Sequence, residues 1–187
     1  MAKSEPKDLP SFQKMWDNYP IEGAETVATN IGGKVADNVL PSLGTDKAWN
    51  TCTIRLSRSF NYSGDPIPEE KHLLVKAADK RPLRVVSGAD GYKYAYGVEE
   101  MAYYLEEVYG PADGTFSIDK ASPDALGSSQ IAGQRVLVVF QFMDATNGKP
   151  RRANHADLWD GANMRYNNVV TNPKHSSFTI KYWEFAR

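Results

Sequence analysis

Apolar positions recur every three to four residues through the first half of the chain, then become near-continuous or alternating after residue 133. Ser11, a residue type that caps helices, precedes Phe12, Met15 and Trp16 at helical spacing, which predicts a short first helix. A second is expected over Gly23 to Asn30. It leads into Ile31-Gly32-Gly33-Lys34-Val35, where paired glycines permit a turn or a close backbone approach. Cys52, Leu56 and Phe60 repeat every fourth residue with Ile54 beside them. They predict a helix that opens at Cys52, is capped by Asn50 or Thr51, and ends before the turn at Asn61 to Pro66. The strongest helical signal is Val98 to Tyr109. Val98, Met101, Ala102, Leu105, Val108 and Tyr109 fill one face, Glu99, Glu100, Glu106 and Glu107 the other, and Gly110-Pro111 stops it.

The later pattern is that of strands. Val136 to Phe142 is an unbroken β-branched and aromatic run, the signature of a central strand covered on both faces. Asn147-Gly148 signals a turn, His155 to Trp159 reads as the next strand, and Asp160-Gly161 turns it again. Arg165 to Thr171 and Phe178 to Phe185 supply two more, and Tyr92 to Tyr96 alternates like a half-exposed strand. Helices early and an antiparallel sheet late make an α+β fold.

At 187 residues the chain is expected to form one domain over 1–187, with the proline-rich and charged residues 1–10 as a frayed tail. Its 22 basic and 23 acidic residues leave a net charge of −1, which gives no field for collecting nucleic-acid phosphates. No run approaches the roughly 20 apolar residues of a membrane span. The opening Met-Ala-Lys-Ser-Glu-Pro lacks the apolar core of a signal peptide, so synthesis in the cytoplasm without one is expected. No glycine-rich phosphate loop is present, and neither a cofactor nor a metal is indicated.

Nucleophilic chemistry has few candidates. The chain holds one cysteine, Cys52, and three histidines, His72, His155 and His175. At the first turn of a helix Cys52 faces unpaired backbone N–H groups and the positive end of the dipole, which stabilise a thiolate and can hold an oxyanion. By position alone, a lone cysteine is more often a small buried hydrophobe than a nucleophile. His155 begins a strand 103 residues later, in the cysteine-first, histidine-later order of papain-like enzymes. An imidazole there can accept the thiol proton and return it to a leaving amine. Alone, it reads more simply as a satisfied sheet histidine. His72 lies in a charged stretch and His175 in a Pro-Lys-His-Ser-Ser loop, both weaker base candidates.

The segment Asn50-Thr51-Cys52-Thr53-Ile54-Arg55-Leu56-Ser57 resembles the nucleophile segment of the type VI secretion amidase effectors, family four. Four further blocks agree in order. They are Pro10-Ser11-Phe12 with Trp16, Ile31 to Val35, Ser87-Gly88-Ala89-Asp90 through Tyr96 and Met101, and Asn154-His155-Ala156-Asp157-Leu158-Trp159-Asp160-Gly161. The similarity runs from about Pro10 to Gly161.

The resemblance implies a papain-like cysteine peptidase fold, with N-terminal helices packed on a C-terminal antiparallel sheet. The implied activity is cleavage of peptidoglycan stem peptides between γ-D-glutamate and meso-diaminopimelate, with Cys52 as nucleophile and His155 as base. Implied partners are the type VI secretion apparatus, which delivers such effectors to a rival's periplasm, and a cognate immunity protein. The cysteine pair that members often carry after the histidine strand is missing. The family's third catalytic residue is an aspartate, and a gap-free count from His155 reaches Tyr166 in its place. A one-residue insertion brings Asn167 there, which is the expected third member, its amide oxygen taking the His155 Nδ1 hydrogen and leaving Nε2 for Cys52. Asp157, two residues along the same strand face, is the alternative. Two other readings of the same residues stay open, a non-catalytic wall-binding domain and an enzyme that passes its acyl group to an amine.

Overall fold

The computed structural model describes residues 5–45, 49–69, 83–118, 125–144, 150–166 and 175–186. Helices α1 (Phe12–Asn18), α2 (Ala24–Ile31) and α3 (Gly33–Val39) come first, followed by α4 (Cys52–Tyr62). A small hairpin, β1 (Val85–Ser87) and β2 (Lys93–Ala95), precedes α5 (Val98–Val108). The main sheet is built from β3 (Gly114–Ile118), β4 (Val136–Asp144), β5 (Pro150–Trp159) and β6 (His175–Glu184), in the spatial order β3-β6-β4-β5 with every pair antiparallel. The α+β arrangement is the one the segregated sequence pattern predicts.

Strand β4 lies inside the sheet, and its alternating residues enter two different cores. Val136, Val138, Phe140 and Phe142 join Phe178, Ile180 and Tyr182 of β6 on one face. Leu137 and Val139 join Leu56 and Phe60 of α4 and Met101 and Leu105 of α5 on the other. This explains why its sequence is apolar at consecutive positions. Strand β5 is an edge of the sheet, and α4 packs against it. The outward carbonyls of Ala156 and Leu158 are covered, the first by the Tyr19 hydroxyl and the second by the Arg165 N–H.

Several expectations need correction. Helix α3 follows α2 after a single residue, because Gly32 and Gly33 take φ values of 67° and 58°. A Cβ on Gly33 would lie 2.7 Å from the Ala89 nitrogen, so the close approach and the turn are the same feature. Glu100, expected on the face opposite the apolar stripe, is buried and paired with Arg84. Helix α4 is buried almost all round. The serines and asparagine among its buried residues are satisfied: Ser57 donates to Thr53 O and accepts the Ala95 N–H, Ser59 donates to Met15 O, and Asn61 joins Lys93 O to the Ile67 N–H.

Arg165 and Tyr166 form a bend instead of opening a strand, and the rest of that expected strand lies outside the described residues. So do the Asn147-Gly148 turn and His72. Strand β3 was not expected: the alternation of Thr115, Phe116, Ser117 and Ile118 is only a few residues long. In the segment expected to fray, the Lys7 N–H donates to Val108 O at 2.8 Å.

Candidate active site

Cys52 opens α4 and is 3% exposed. Thr51 occupies the N-cap position without a side-chain cap bond; the acceptor is Asn50, whose Oδ1 takes the Cys52 N–H at 3.1 Å. An asparagine carbonyl two residues upstream thereby holds one of the donors a helix start leaves unpaired. The Arg55 N–H is the first to find its partner in the helix, at Thr51 O.

His155 comes from the edge strand, and a bulge prepares its placement. The register of β5 against β4 pairs Phe140 with His155 but Gln141 with Ala153, so one extra residue precedes the histidine. The imidazole is 5% exposed and lies against the Phe140 ring, with centroids 5.8 Å apart. Its Nε2 is 3.3 Å from Asp157 Oδ2, and the Cys52 sulfur is near enough to act on its titration. With Nε2 on the carboxylate, Nδ1 is the nitrogen left for the thiol. The ring is therefore turned opposite to the expected orientation.

Asp157 is fully buried and well held. Its Oδ1 accepts the Leu158 N–H at 2.8 Å, and Oδ2 accepts the Tyr166 N–H at 3.2 Å as well as facing His155. The preferred third residue, Asn167, lies outside the described residues. Tyr166, which a gap-free count puts at the family's aspartate position, contributes its backbone to Asp157, while its ring lies 3.7 Å from the Arg55 guanidinium carbon.

The electrostatics follow from these contacts. Burial alone would lower the His155 pKa. The hydrogen bond to Asp157, the neighbouring Cys52 sulfur and the charges of both outweigh it and push the group up to about 9. The imidazolium form is thus favoured by its place between the Cys52 sulfur and the Asp157 carboxylate. Such an arrangement can deliver a nucleophilic sulfur and protonate a leaving group.

Sequence reasoning did not single out two contributors. Tyr19, fully buried at the end of α1, brings its hydroxyl to Ala156 O, on the residue before Asp157. Arg55, also buried, donates to Pro20 O and Glu22 O, each at 2.7 Å. Arg55 falls three residues after Cys52 in the helical pattern, a spacing that could have flagged it. Tyr19 comes from a distant helix and left no such signal. Among the described residues no group of three or more histidine, cysteine or acidic side chains is arranged to hold a metal, and no helix is long and apolar enough to cross a membrane.

Comparison with known proteins adds to this geometry. A family model described as "Type VI secretion system (T6SS), amidase effector protein 4" matches residues 49–183. Among solved structures, the type VI effector Tae4 from Enterobacter cloacae is 23% identical, covering 97% of this chain and 99% of that one with a TM-score of 0.71. The Tae4 of the effector-immunity complex Tae4-Tai4 from Salmonella Typhimurium is 24% identical, covering 96% and 100% with a TM-score of 0.71. A further match is the Enterobacter cloacae Tae4-Tai4 complex, 23% identical over 95% and 99%, with a TM-score of 0.70. No curated protein sequence matches.

Proposed function

Since the chain belongs to the family of type VI secretion amidase effectors of type 4, we propose that its amide substrate is the bond between γ-D-glutamate and meso-diaminopimelate in peptidoglycan stem peptides. Cys52 is the nucleophile, His155 the base and acid, and Asp157 the carboxylate that orients the imidazole. The observation that carries this reading is the His155 ring, 3.3 Å from Asp157 Oδ2 through Nε2 and electrostatically coupled to Cys52 at the head of α4.

In the first step Nδ1 of the neutral His155 imidazole takes the Cys52 thiol proton, the sulfur adds to the γ-glutamyl carbonyl carbon, the C–N bond breaks, and the imidazolium gives that Nδ1 proton to the diaminopimelate amine. The product is a thioester. Water then adds to the thioester carbonyl while Nδ1 takes its proton, and the sulfur leaves, freeing the glutamate carboxylate. Asp157 keeps a hydrogen bond to Nε2 throughout and stabilises the imidazolium without taking a proton from it. The oxyanion in each step falls at the first turn of α4. There it competes with Asn50 Oδ1 for the Cys52 N–H, which is already engaged at 3.1 Å.

The cell-wall location of the substrate places the site of action in the periplasm of a target bacterium, reached through the secretion apparatus. An enzyme able to cut the wall also endangers its producer and its kin. A cognate immunity protein that blocks access to Cys52 and His155 fits that need, as relatives are found with theirs. The whole chain works as one amidase domain in this reading. Incubating purified peptidoglycan with the protein tests it: new glutamate carboxyl ends paired with new diaminopimelate amino ends support this bond, and cleavage at another bond rejects it.

A further inference from the structure

Tyr19 ends α1 on a segment that the nucleophile helix grips from several sides. The Arg58 Nη1 donates to Asn18 O at 2.9 Å, the Asn18 amide donates to Tyr62 O at 3.3 Å, and Arg55 donates to Pro20 O and Glu22 O. The backbone around Tyr19 thus moves with α4. Its hydroxyl points the other way, to β5, where it donates to Ala156 O at 3.4 Å, on the residue between His155 and Asp157. One side chain therefore spans from the element that carries Cys52 to the strand that carries His155.

We propose that Tyr19 is a positioning residue for the hydrolysis: its hydroxyl holds Asp157 in register with His155 and fixes the edge strand against the nucleophile helix. This rests on the reading of Cys52, His155 and Asp157 as the catalytic residues. The chemistry suits the task. The phenol is 1% exposed, so no solvent competes for its hydrogen. Burial, followed by the charges of Asp157 and Cys52, raises its pKa well above 10 against the opposing pull of Arg55, so it remains a donor wherever the enzyme works.

Tyr19→Phe removes the hydroxyl and keeps the ring. The experiment measures kcat, KM and the pH dependence of kcat/KM on a purified stem peptide, with circular dichroism to verify folding, in the wild-type and Asp157→Ala backgrounds. The expected result is a fall in kcat of about tenfold with KM within about twofold, the loss of one buried hydrogen bond. The basic limb of the pH profile should move downward, because an Asp157 carboxylate less firmly held against Nε2 retains the His155 proton less tightly. In the Asp157→Ala background the same change should cost little, since the group it positions is gone. A folded Tyr19→Phe protein with unchanged kcat and an unmoved basic limb would overturn the proposal, as would an equal loss in both backgrounds. Failure of the underlying reading is distinguishable, because it shows instead as full turnover by Cys52→Ala.

Discussion

His155 and Asp157 stand two residues apart on one strand, with Nε2 of the first 3.3 Å from Oδ2 of the second and both side chains buried. Strand alternation puts such a pair on one face. The imidazole and its orienting carboxylate thus come from a single five-residue stretch, His155 to Trp159, and need no third element to meet.

Replacing Asp157 by Ala should lower kcat by about a hundredfold or more, through loss of ring orientation and of the charge that stabilises the imidazolium. It should also destabilise the fold by about 1–3 kcal/mol, as the Leu158 and Tyr166 N–H groups lose their acceptor. Asn167→Ala should do much less. Kinetics of the two variants rank them directly, and a severe loss for Asn167→Ala beside a mild one for Asp157→Ala would reverse the assignment.

The His155 shift fixes the sign of the pH dependence. The folded group titrates at about 9, above its ordinary 6.5, so its contribution to stability is fully present below pH 6.5 and is lost as pH rises through about 9. The imidazolium that protonates the leaving amine disappears over the same interval. A pH profile of kcat/KM should show its basic limb near 9, and Asp157→Ala should bring that limb down, since the largest raising contribution is removed.

Asn50 separates capping from catalysis. Asn50→Ala loses the acceptor for the Cys52 N–H and should cost about 1 kcal/mol, or about 2–4 °C in melting temperature. Asn50→Asp keeps an acceptor and adds a negative charge that suits a helix start, so it should melt higher than the Ala variant. That same charge opposes a developing oxyanion at the Cys52 N–H. The Asp variant should therefore be the more stable and the slower of the two, by thermal melts and kcat on one substrate.

The elements whose apolar residues keep one period were legible in the sequence. Val98 to Val108 and the strand at Val136 follow directly from their spacing, and Cys52 at a helix start follows from Cys52, Leu56 and Phe60. Helix α3 was hidden by the two glycines, which read as a break while their positive φ angles let one helix follow another. Glu100 was misplaced because periodicity registers charge and not the Arg84 guanidinium waiting 16 residues upstream. The ring orientation of His155 depends on a bulge at Asn154, and the reach of Tyr19 to β5 spans 137 residues; no local pattern encodes either.

In the proposed reaction this chain hydrolyses an amide of the cell wall through a Cys52 thioester with His155 as its proton carrier. Mass spectrometry of purified peptidoglycan after incubation with wild type, Cys52→Ala and His155→Ala tests it most directly. The account predicts that wild type releases peptides ending in γ-D-glutamate and others beginning with diaminopimelate, and forms no new crosslinks. Both variants should stay folded and leave the wall intact, with Cys52→Ala melting close to wild type. Cleavage by folded Cys52→Ala at a rate near that of wild type would contradict it.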